Sequence, residues 1–280
     1  MKIQKPIAVI SMVRNDSFFT EKWISYYGKH LGFEHLYLFL DGMDQKVPEA
    51  ALKINYFQIP HKEESRAQGD RNRAKIISKF AQQLFPKYHA VLAVDIDEFL
   101  VLDPKMGDSF KTYLQQEFKA TSLSGLGLDV GQHPNLEAAI DLKKSFLSQR
   151  SFAQVSDRYT KPSVSFKPIS WGAGFHRIKG KNFKIDSNLF LFHFGLIDHK
   201  TSLQKSGNKE LLKMGWKSHF DRRKDLYKAL KTQIPMEAST FFPKARNYFT
   251  KNRKWYAWNK PAPIRGANVI KIPKRFQTLV

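Results

Sequence analysis

The 280-residue chain contains no cysteine. This absence excludes a disulfide framework, a thiolate metal site and a cysteine nucleophile. The sequence also lacks any run of about 18 apolar residues, so it predicts no membrane-spanning helix. The apolar stretch near the N-terminus is too short for a signal peptide and is followed by no small-residue cleavage site. We therefore expect a soluble cytoplasmic protein, and peripheral contact with the inner face of the membrane stays open.

Acidic residues are scarce. The chain has 25 Asp and Glu against 47 Lys and Arg, which gives a formal net charge of +22. From residue 200 to the end there are 20 basic and 4 acidic residues, so +16 of this charge lies in the last 81 residues. A positive field attracts nucleic acid, anionic lipid or phosphorylated small molecules. Composition alone leaves these three partners open.

Apolar runs alternate with helical patterns over the first hundred residues. The predicted order is strand, helix, strand, strand, helix, strand, which indicates an α/β domain with a mostly parallel sheet flanked by helices. Strands buried on both faces are continuous apolar runs, as these are. The predicted strands span residues 7–12, 35–40, 54–59 and 90–94, and the predicted helices span residues 17–31 and 65–85.

The pattern loosens beyond residue 104. We expect a helix over residues 109–118, a strand over 187–197 and a basic helix over 203–230. The last fifty residues are aromatic, basic and proline-containing. The sequence therefore predicts a basic C-terminal region that is helical or irregular.

Three of the predicted strands end in polar clusters. These are Arg14-Asn15-Asp16, Asp41-Gly42 and Asp95-Ile96-Asp97-Glu98. In open α/β sheets the ligand crevice lies at the carboxyl ends of the strands. Asp95 and Asp97 can approach one Mn²⁺ or Mg²⁺ ion from a chain that bends as it leaves the sheet. The alternative is a solvated turn, but apolar residues resume at once after Glu98, which favours the metal site.

Two segments carry a resemblance to a known family. VRNDSFFTEKWISYYGKHLGFEHLYLFLDG and RNRAKIISKFAQQLFPKYHAVLAVDIDEFLVL resemble the bacterial family-2-like glycosyltransferases of the GT-A fold. The resemblance covers about residues 7–103, and its most specific element is Asp-hydrophobic-Asp-Glu-Phe. It extends more weakly to residues 190–193 and to the segment from Ser202 to Lys205.

The resemblance implies a GT-A-like, Rossmann-like fold in two parts. Residues 1–200 would form the domain that binds a nucleotide sugar and carries catalysis. Residues 201–280 would form a basic, aromatic helical extension packed on it. The implied activity is transfer of a sugar from a nucleotide-diphosphate-sugar donor to a glycan or lipid-linked acceptor. Cell-surface polysaccharide or lipopolysaccharide synthesis is the expected setting.

The expected site residues fall into four groups. The metal ligands would be Asp95, Asp97 and His193, although a histidine inside a strand is more often a core residue. The donor would contact Arg14, Asn15, Asp41, Arg71, Arg73, Asp95 and Lys205, the alternative for Arg71 and Arg73 being a solvated helix face. Asp129 is the candidate base, with an ordinary loop aspartate as the alternative. Trp171 and His176 are the candidate acceptor contacts, and Trp171 suits a core position equally well.

Two other classes of protein stay open. A phosphatase of the haloacid-dehalogenase type also uses Asp-x-Asp, but it carries the motif on its first strand and has Thr or Val where this chain has Phe99. A nucleic-acid-binding protein would explain the charge. It would not explain three carboxylates at the crevice, which repel phosphate unless a metal intervenes, so we expect no nucleic-acid partner.

The basic C-terminal region also contains aromatic residues that suit an interface. They favour contact with an anionic membrane or an anionic glycan, and the alternative is a solvated basic face. These residues are Trp216, Phe220, Trp255, Tyr256 and Trp258.

Overall fold

The computed structural model describes residues 4–195, 197–200, 207, 212–213 and 217–280. The fold is α/β, with ten strands in one mixed sheet. The strands are β1 Ile7–Val13, β2 Leu36–Asp41, β3 Asn55–Ile59, β4 Ala90–Ala93, β5 Glu98–Leu102, β6 Ser122–Val130, β7 Phe152–Val155, β8 Pro162–Ser165, β9 Lys184–His193 and β10 Val269–Lys271. The helices are α1 Ser17–Leu31, α2 Arg66–Leu84, α3 Phe110–Leu114, α4 Phe146–Gln149, α5 Lys217–Thr232 and α6 Ala238–Lys251.

The first four strands form the parallel half of the sheet, in the order β3-β2-β1-β4. Helix α1 begins after Asp16, whose side chain accepts a hydrogen bond from the Phe19 N–H at 3.1 Å. It ends at Gly32, which has φ of +101°, a conformation that favours glycine. The apolar faces of α1 and α2 pack on this half, with Trp23 and Ile77 fully buried. The parallel arrangement predicted for this segment is confirmed.

The second half of the sheet departs from the prediction of a mostly parallel sheet. The β4–β8, β6–β8, β6–β7 and β7–β10 pairs are all antiparallel. Strands β7 and β8 both follow β6 in the chain and both run along it in the opposite direction. Gly127 of β6 permits a close approach, since a Cβ there would lie 2.3 Å from the backbone carbon of Tyr159. Strand β6, which contains Gly125 and Gly127, is buried along its whole length.

Strands β5 and β9 bring a distant part of the chain to the motif. They pair antiparallel with Glu98 opposite His193, and β9 also pairs parallel with β6, with Asp129 opposite His193. The predicted strand over 187–197 is thus β9, displaced by about three residues. The predicted helix over 109–118 is confirmed in the shorter form of α3.

The C-terminal residues join the same core. Strand β10 pairs with β7, and Phe242 of α6 packs on Phe190 of β9 with ring centroids 4.9 Å apart. Most of residues 203–216 lie outside the described residues, and α5 accounts for the rest of the predicted basic helix. The division of the chain near residue 200 stays a prediction.

The aromatic residues predicted for an interface separate into two groups. Phe220 is buried, so its assignment to an interface is wrong, because it lies on the inward face of α5. Trp216 lies outside the described residues. The exposed ones are Trp255, Tyr256 and Trp258. Within the described part of the chain, no helix has both the length and the apolar character that a membrane crossing requires.

Candidate functional site

Polar side chains meet where the parallel strands end. Arg14 follows β1 and donates from Nη1 to the backbone oxygen of Asp41, at the end of β2, at 2.6 Å. The Asp41 carboxylate lies 3.0 Å from Nδ1 of His61, which follows β3. Arg14 also forms two hydrogen bonds with Asp44, at 3.0 and 3.1 Å. Two predicted donor contacts, Arg14 and Asp41, therefore lie together at one edge of the sheet.

Asn15 has a positive φ of 55°, a conformation that asparagine tolerates better than most residues. Its backbone N–H donates to Oε1 of Gln45 at 2.7 Å, and its side-chain oxygen accepts from Nε2 of Gln45 at 2.9 Å. Asn15 thus ties the turn after β1 to the loop after β2, beside Arg14.

Asp95 lies in a buried ionic cluster just beyond β4. Its two carboxylate oxygens lie 2.8 Å from Nη1 of Arg73 and 2.8 Å from Nζ of Lys161. Nζ of Lys161 also lies 2.7 Å from Oε1 of Glu98, a completely buried carboxylate. The other oxygen of Glu98 accepts a hydrogen bond from the Asp95 backbone N–H at 3.2 Å. Burial alone would raise the pKa of Asp95, but Arg73 and Lys161 outweigh it and hold the pKa well below its ordinary value. Asp95 therefore stays ionised.

Glu98 behaves in the opposite way. Burial raises its pKa above the ordinary value, and the neighbouring Asp95 charge adds to this, although Lys161 opposes both. No part of Glu98 reaches solvent, and its contact with Lys161 helps to fix the position of that ammonium group.

Asp97 faces a second cluster, around His193. Its Oδ2 lies 3.3 Å from Nε2 of His193, and Nδ1 of His193 lies 2.8 Å from Oδ1 of Asp129. Both ring nitrogens of His193 therefore lie close to carboxylates, whereas the ring nitrogens of a core histidine would form hydrogen bonds with backbone groups. Burial lowers the pKa of His193, but Asp97 and Asp129 outweigh it and raise the pKa to about 9. The two carboxylates thus favour the protonated ring, and the Arg223 guanidinium, whose Nη2 lies 3.1 Å from Nδ1 of His193, opposes it.

Arg223 of α5 and Tyr159 complete this second cluster. Arg223 donates to Oδ1 of Asp129 at 2.6 Å and to the Tyr159 hydroxyl at 2.7 Å. The Tyr159 ring stacks on His193, with centroids 3.8 Å apart. Burial would raise the pKa of Asp129, but Arg223 and His193 outweigh it and lower the pKa to about 2.

This environment disfavours Asp129 as a base, and the assignment stays a prediction. A general base works best with a pKa near the operating pH, and Asp129 lies far below it. Asp129 also belongs to strand β6 and not to a loop. Its contacts orient the His193 ring.

Two other predicted residues, Trp171 and Arg71, lie apart from the carboxylates. Trp171 is only 1% exposed and donates from its indole nitrogen to the Pro162 oxygen, so it is a core residue that borders a cavity. Arg71 bonds to Gln68 and points away from its neighbour Arg73 into this cavity. Lys205 lies outside the described residues.

His176 lies on the Asp95 side of the crevice. Its Nδ1 is 2.9 Å from the backbone oxygen of Arg158. Burial, together with the charges of Lys161 and Arg158, lowers the pKa of His176 to about 3. His176 is therefore neutral and available for hydrogen bonding at neutral pH.

Sequence reasoning missed Lys161, Arg223 and Tyr159. Arg223 had a detectable signal, because it lies on the apolar stripe of α5 together with Leu226, Tyr227 and Leu230, which are all buried. A single arginine on such a stripe indicates a buried ion pair. Lys161 and Tyr159 had no such signal, since neither belongs to an amphipathic repeat.

No protein-family model matches the chain, and no significant match to a curated protein is found.

Proposed function

We propose that this protein is a metal-dependent glycosyltransferase with a GT-A-like fold. The donor would be a nucleotide-diphosphate sugar, and the acceptor a glycan or lipid-linked glycan of the cell surface. The proposed setting is the cytoplasm, with peripheral contact at the inner face of the membrane. One observation carries the proposal, namely that Asp97 follows a parallel strand and meets His193, which arrives from a strand about a hundred residues later.

The residues fit a divalent cation, with Asp97 and His193 as its holders. Gly195 leaves room there, because a Cβ would lie 2.7 Å from Oδ2 of Asp97 and 2.7 Å from Nε2 of His193. The described residues contain no preassembled set of three His, Asp or Glu ligands. Mg²⁺ is commonly held by one or two carboxylates plus substrate phosphates, so an incomplete protein set suits a cation that arrives with a diphosphate.

The chemistry that a bound cation supplies is neutralisation of the charge that develops on the diphosphate leaving group. His193 would have to release the proton on Nε2, because only a neutral ring nitrogen binds metal. Asp129 and Tyr159 hold the ring in position for this, and Arg223 keeps Asp129 ionised.

Asp95 has a different role in this proposal. Its oxygens already face Arg73 and Lys161, so we assign it to the donor side of the site. Arg73 and Lys161 supply positive charge next to the carboxylates, which lowers the electrostatic cost of bringing a diphosphate to this edge. Arg14, Asn15 and Asp41 lie at the ends of β1 and β2, where the nucleotide would lie.

The experiment is a panel of nucleotide sugars with and without Mn²⁺, read out as release of nucleoside diphosphate. We expect Mn²⁺-dependent release with one donor, and its loss in Asp97→Ala with the melting temperature retained. The matched control is Asp221→Ala, which changes an exposed aspartate on α5.

Two results would overturn the proposal. One is metal-dependent hydrolysis of p-nitrophenyl phosphate with no turnover of any nucleotide sugar, which indicates a phosphatase. The other is salt-sensitive binding to duplex nucleic acid with no turnover, which indicates a binding protein.

A further inference from the structure

A cavity lies between helix α2 and the segment of residues 170–180. It has a volume of about 640 Å³, within the range of small-molecule sites. The polar side chains of its lining are four cations and three amides, with no carboxylate among them: Arg71, Lys75, Arg177, Lys179, Gln68, Asn72 and Asn259.

The helical wall follows directly from the sequence. Gln68, Arg71, Asn72 and Lys75 recur at the spacing that places residues on one helix face. The opposite face, with Ala74, Ile77 and Ala81, is buried in the core. The cations are therefore directed into the cavity by the same periodicity that anchors the helix.

The second wall is a hairpin. The Gly172 N–H donates to the Arg177 oxygen at 2.9 Å, and the Lys179 N–H donates to the Ser170 oxygen at 2.8 Å. Ile178 between them is fully buried, so Arg177 and Lys179 face the cavity on either side of it. Gly172 also accommodates Arg177, since a Cβ there would lie 2.9 Å from Cγ of Arg177.

Among the described residues, the four cations of this cavity form no ion pair, and the carboxylate that contacts the lining, Glu64, is bonded to the Asn72 amide. Within the described ranges, no carboxylate lies within ion-pairing distance of Arg71, Lys75, Arg177 or Lys179. Arg71 bonds only to the Gln68 amide. Burial lowers the pKa of nearby Lys260, and the charges of Arg177 and Arg158 lower it further. A concave surface with uncompensated positive charge attracts anions.

The amides add a neutral polar surface. Asn259 is held by a hydrogen bond from Nδ2 to the Ile178 oxygen at 2.8 Å, which leaves its carbonyl oxygen directed elsewhere. Asn72 donates from Nδ2 to Glu64 at 2.6 and 2.8 Å, and its side-chain oxygen accepts from Nε2 of Gln68 at 3.1 Å. Amides beside cations suit a ligand that carries both hydroxyl groups and an anionic group.

The cavity and the carboxylate crevice share a wall. Gly174 in the hairpin accepts from Nζ of Lys161 at 3.2 Å, and the Phe175 ring lies 5.2 Å from the Arg73 guanidinium carbon. Lys161 and Arg73 are the two cations that hold Asp95. A ligand in the cavity would therefore lie across one thin segment from the proposed donor site.

We infer that this cavity binds a phosphorylated sugar. The inference rests on the lining of the cavity and does not depend on the proposed function. The phosphate would contact Lys75, Arg71 and Arg177, and the sugar hydroxyls would contact the amides.

The binding test needs no transfer reaction. Glucose 6-phosphate, glucose and inorganic phosphate are titrated into the protein at low salt by calorimetry. We expect glucose 6-phosphate to bind more tightly than either of the other two. Lys75→Glu and Arg177→Glu should each weaken it at least tenfold. Lys79→Glu is the matched control, because Lys79 is an exposed lysine one turn further along α2 outside the cavity, and it should change the affinity less than twofold.

The outcomes separate the two proposals. Equal losses in the Lys75 and Lys79 variants would overturn the cavity assignment, since general charge would then explain binding. Equal affinity for inorganic phosphate and glucose 6-phosphate would overturn the sugar part. Cavity-dependent binding of glucose 6-phosphate without turnover of any nucleotide sugar would instead retain the ligand chemistry and reject the glycosyltransferase proposal.

Discussion

The proposed metal site requires glycine at position 195, because a side-chain Cβ there would collide with two of its residues. Gly195→Ala would put a Cβ 2.7 Å from both Asp97 and His193, closer than real Cβ contacts. We expect loss of Mn²⁺-dependent stabilisation by nucleoside diphosphates and a fall of at least about 100-fold in turnover, a size that small displacements at catalytic sites reach. Thermal shift with and without Mn²⁺ measures the first effect.

Gly69→Ala provides the control for this substitution. Gly69 lies inside α2, and a Cβ there meets nothing within 4 Å. Alanine in a helix interior is more stable than glycine by roughly 0.5–1 kcal/mol, so this variant should be slightly stabilised with unchanged turnover. If Gly195→Ala kept the Mn²⁺ response of the original protein, Asp97 and His193 would not hold the cation.

At the scale of elements, one ion pair joins the end of β5 to the C-terminal segment. Arg275 donates to the two oxygens of Asp103 at 2.7 and 2.9 Å, with both side chains mostly buried. Burial raises the pKa of Asp103, but Arg275 and the Lys105 N–H outweigh it and hold the pKa below its ordinary value. Ionised Asp103 therefore stabilises the folded state.

The pH dependence of this pair has a definite sign. A lowered folded pKa contributes stability above the unfolded pKa of about 3.9, and this contribution is lost as the pH falls through the folded pKa. Asp103→Asn should cost about 1–3 kcal/mol in the free energy of unfolding near pH 7. The difference from the original protein should shrink as the pH falls below about 4. Urea unfolding of both proteins, at several pH values from about 7 down to below about 4, measures this difference in the free energy of unfolding.

Asp221→Asn is the comparison for Asp103→Asn. Asp221 lies 4.0 Å from Lys217 on the surface of α5, and pairs this exposed contribute little. A cost for Asp103→Asn that stayed constant with pH would show that lost packing, and not the charge, weakens that variant.

The elements also differ in how much the sequence reveals of them. β1, α1, β2, α2 and β4 were predictable because each has a local signal, such as the Asp16 cap, Gly32 or a continuous apolar run. β6 was not recognised, since its glycines serve contacts with Tyr159 and Leu191 that lie far away in the chain. The carboxylates of Asp95, Asp97 and Glu98 could be recognised from the sequence because they directly follow an apolar run. Lys161 could not, since it is brought to them by β8, the strand that follows it and pairs antiparallel with β4.

At the scale of the whole molecule, the charge of +22 acts together with an exposed aromatic turn, residues 254–258. Trp255 is 86% exposed, and Tyr256 and Trp258 are also exposed. Lys254 lies over the Tyr256 ring at 5.5 Å. Aromatic rings beside lysine suit the boundary between lipid headgroups and water. Each basic residue near an anionic surface adds about 1 kcal/mol of attraction, which salt screens over a distance of about 8 Å.

We therefore expect binding to phosphatidylserine-containing vesicles that falls steeply as salt rises, with little binding to neutral phosphatidylcholine vesicles. Replacement of both Trp255 and Tyr256 by alanine should reduce binding several-fold at constant net charge, because the rings supply the apolar part of the contact. Leu136→Ala is the control, as Leu136 is an exposed apolar residue on a different loop. Vesicle co-sedimentation gives the affinities.

If the double variant bound as tightly as the original protein, charge alone would account for the attraction and the aromatic turn would have no part in it. If acidic vesicles failed to bind at low salt, membrane contact would have to be abandoned, and the basic surface would be left as a solvated face.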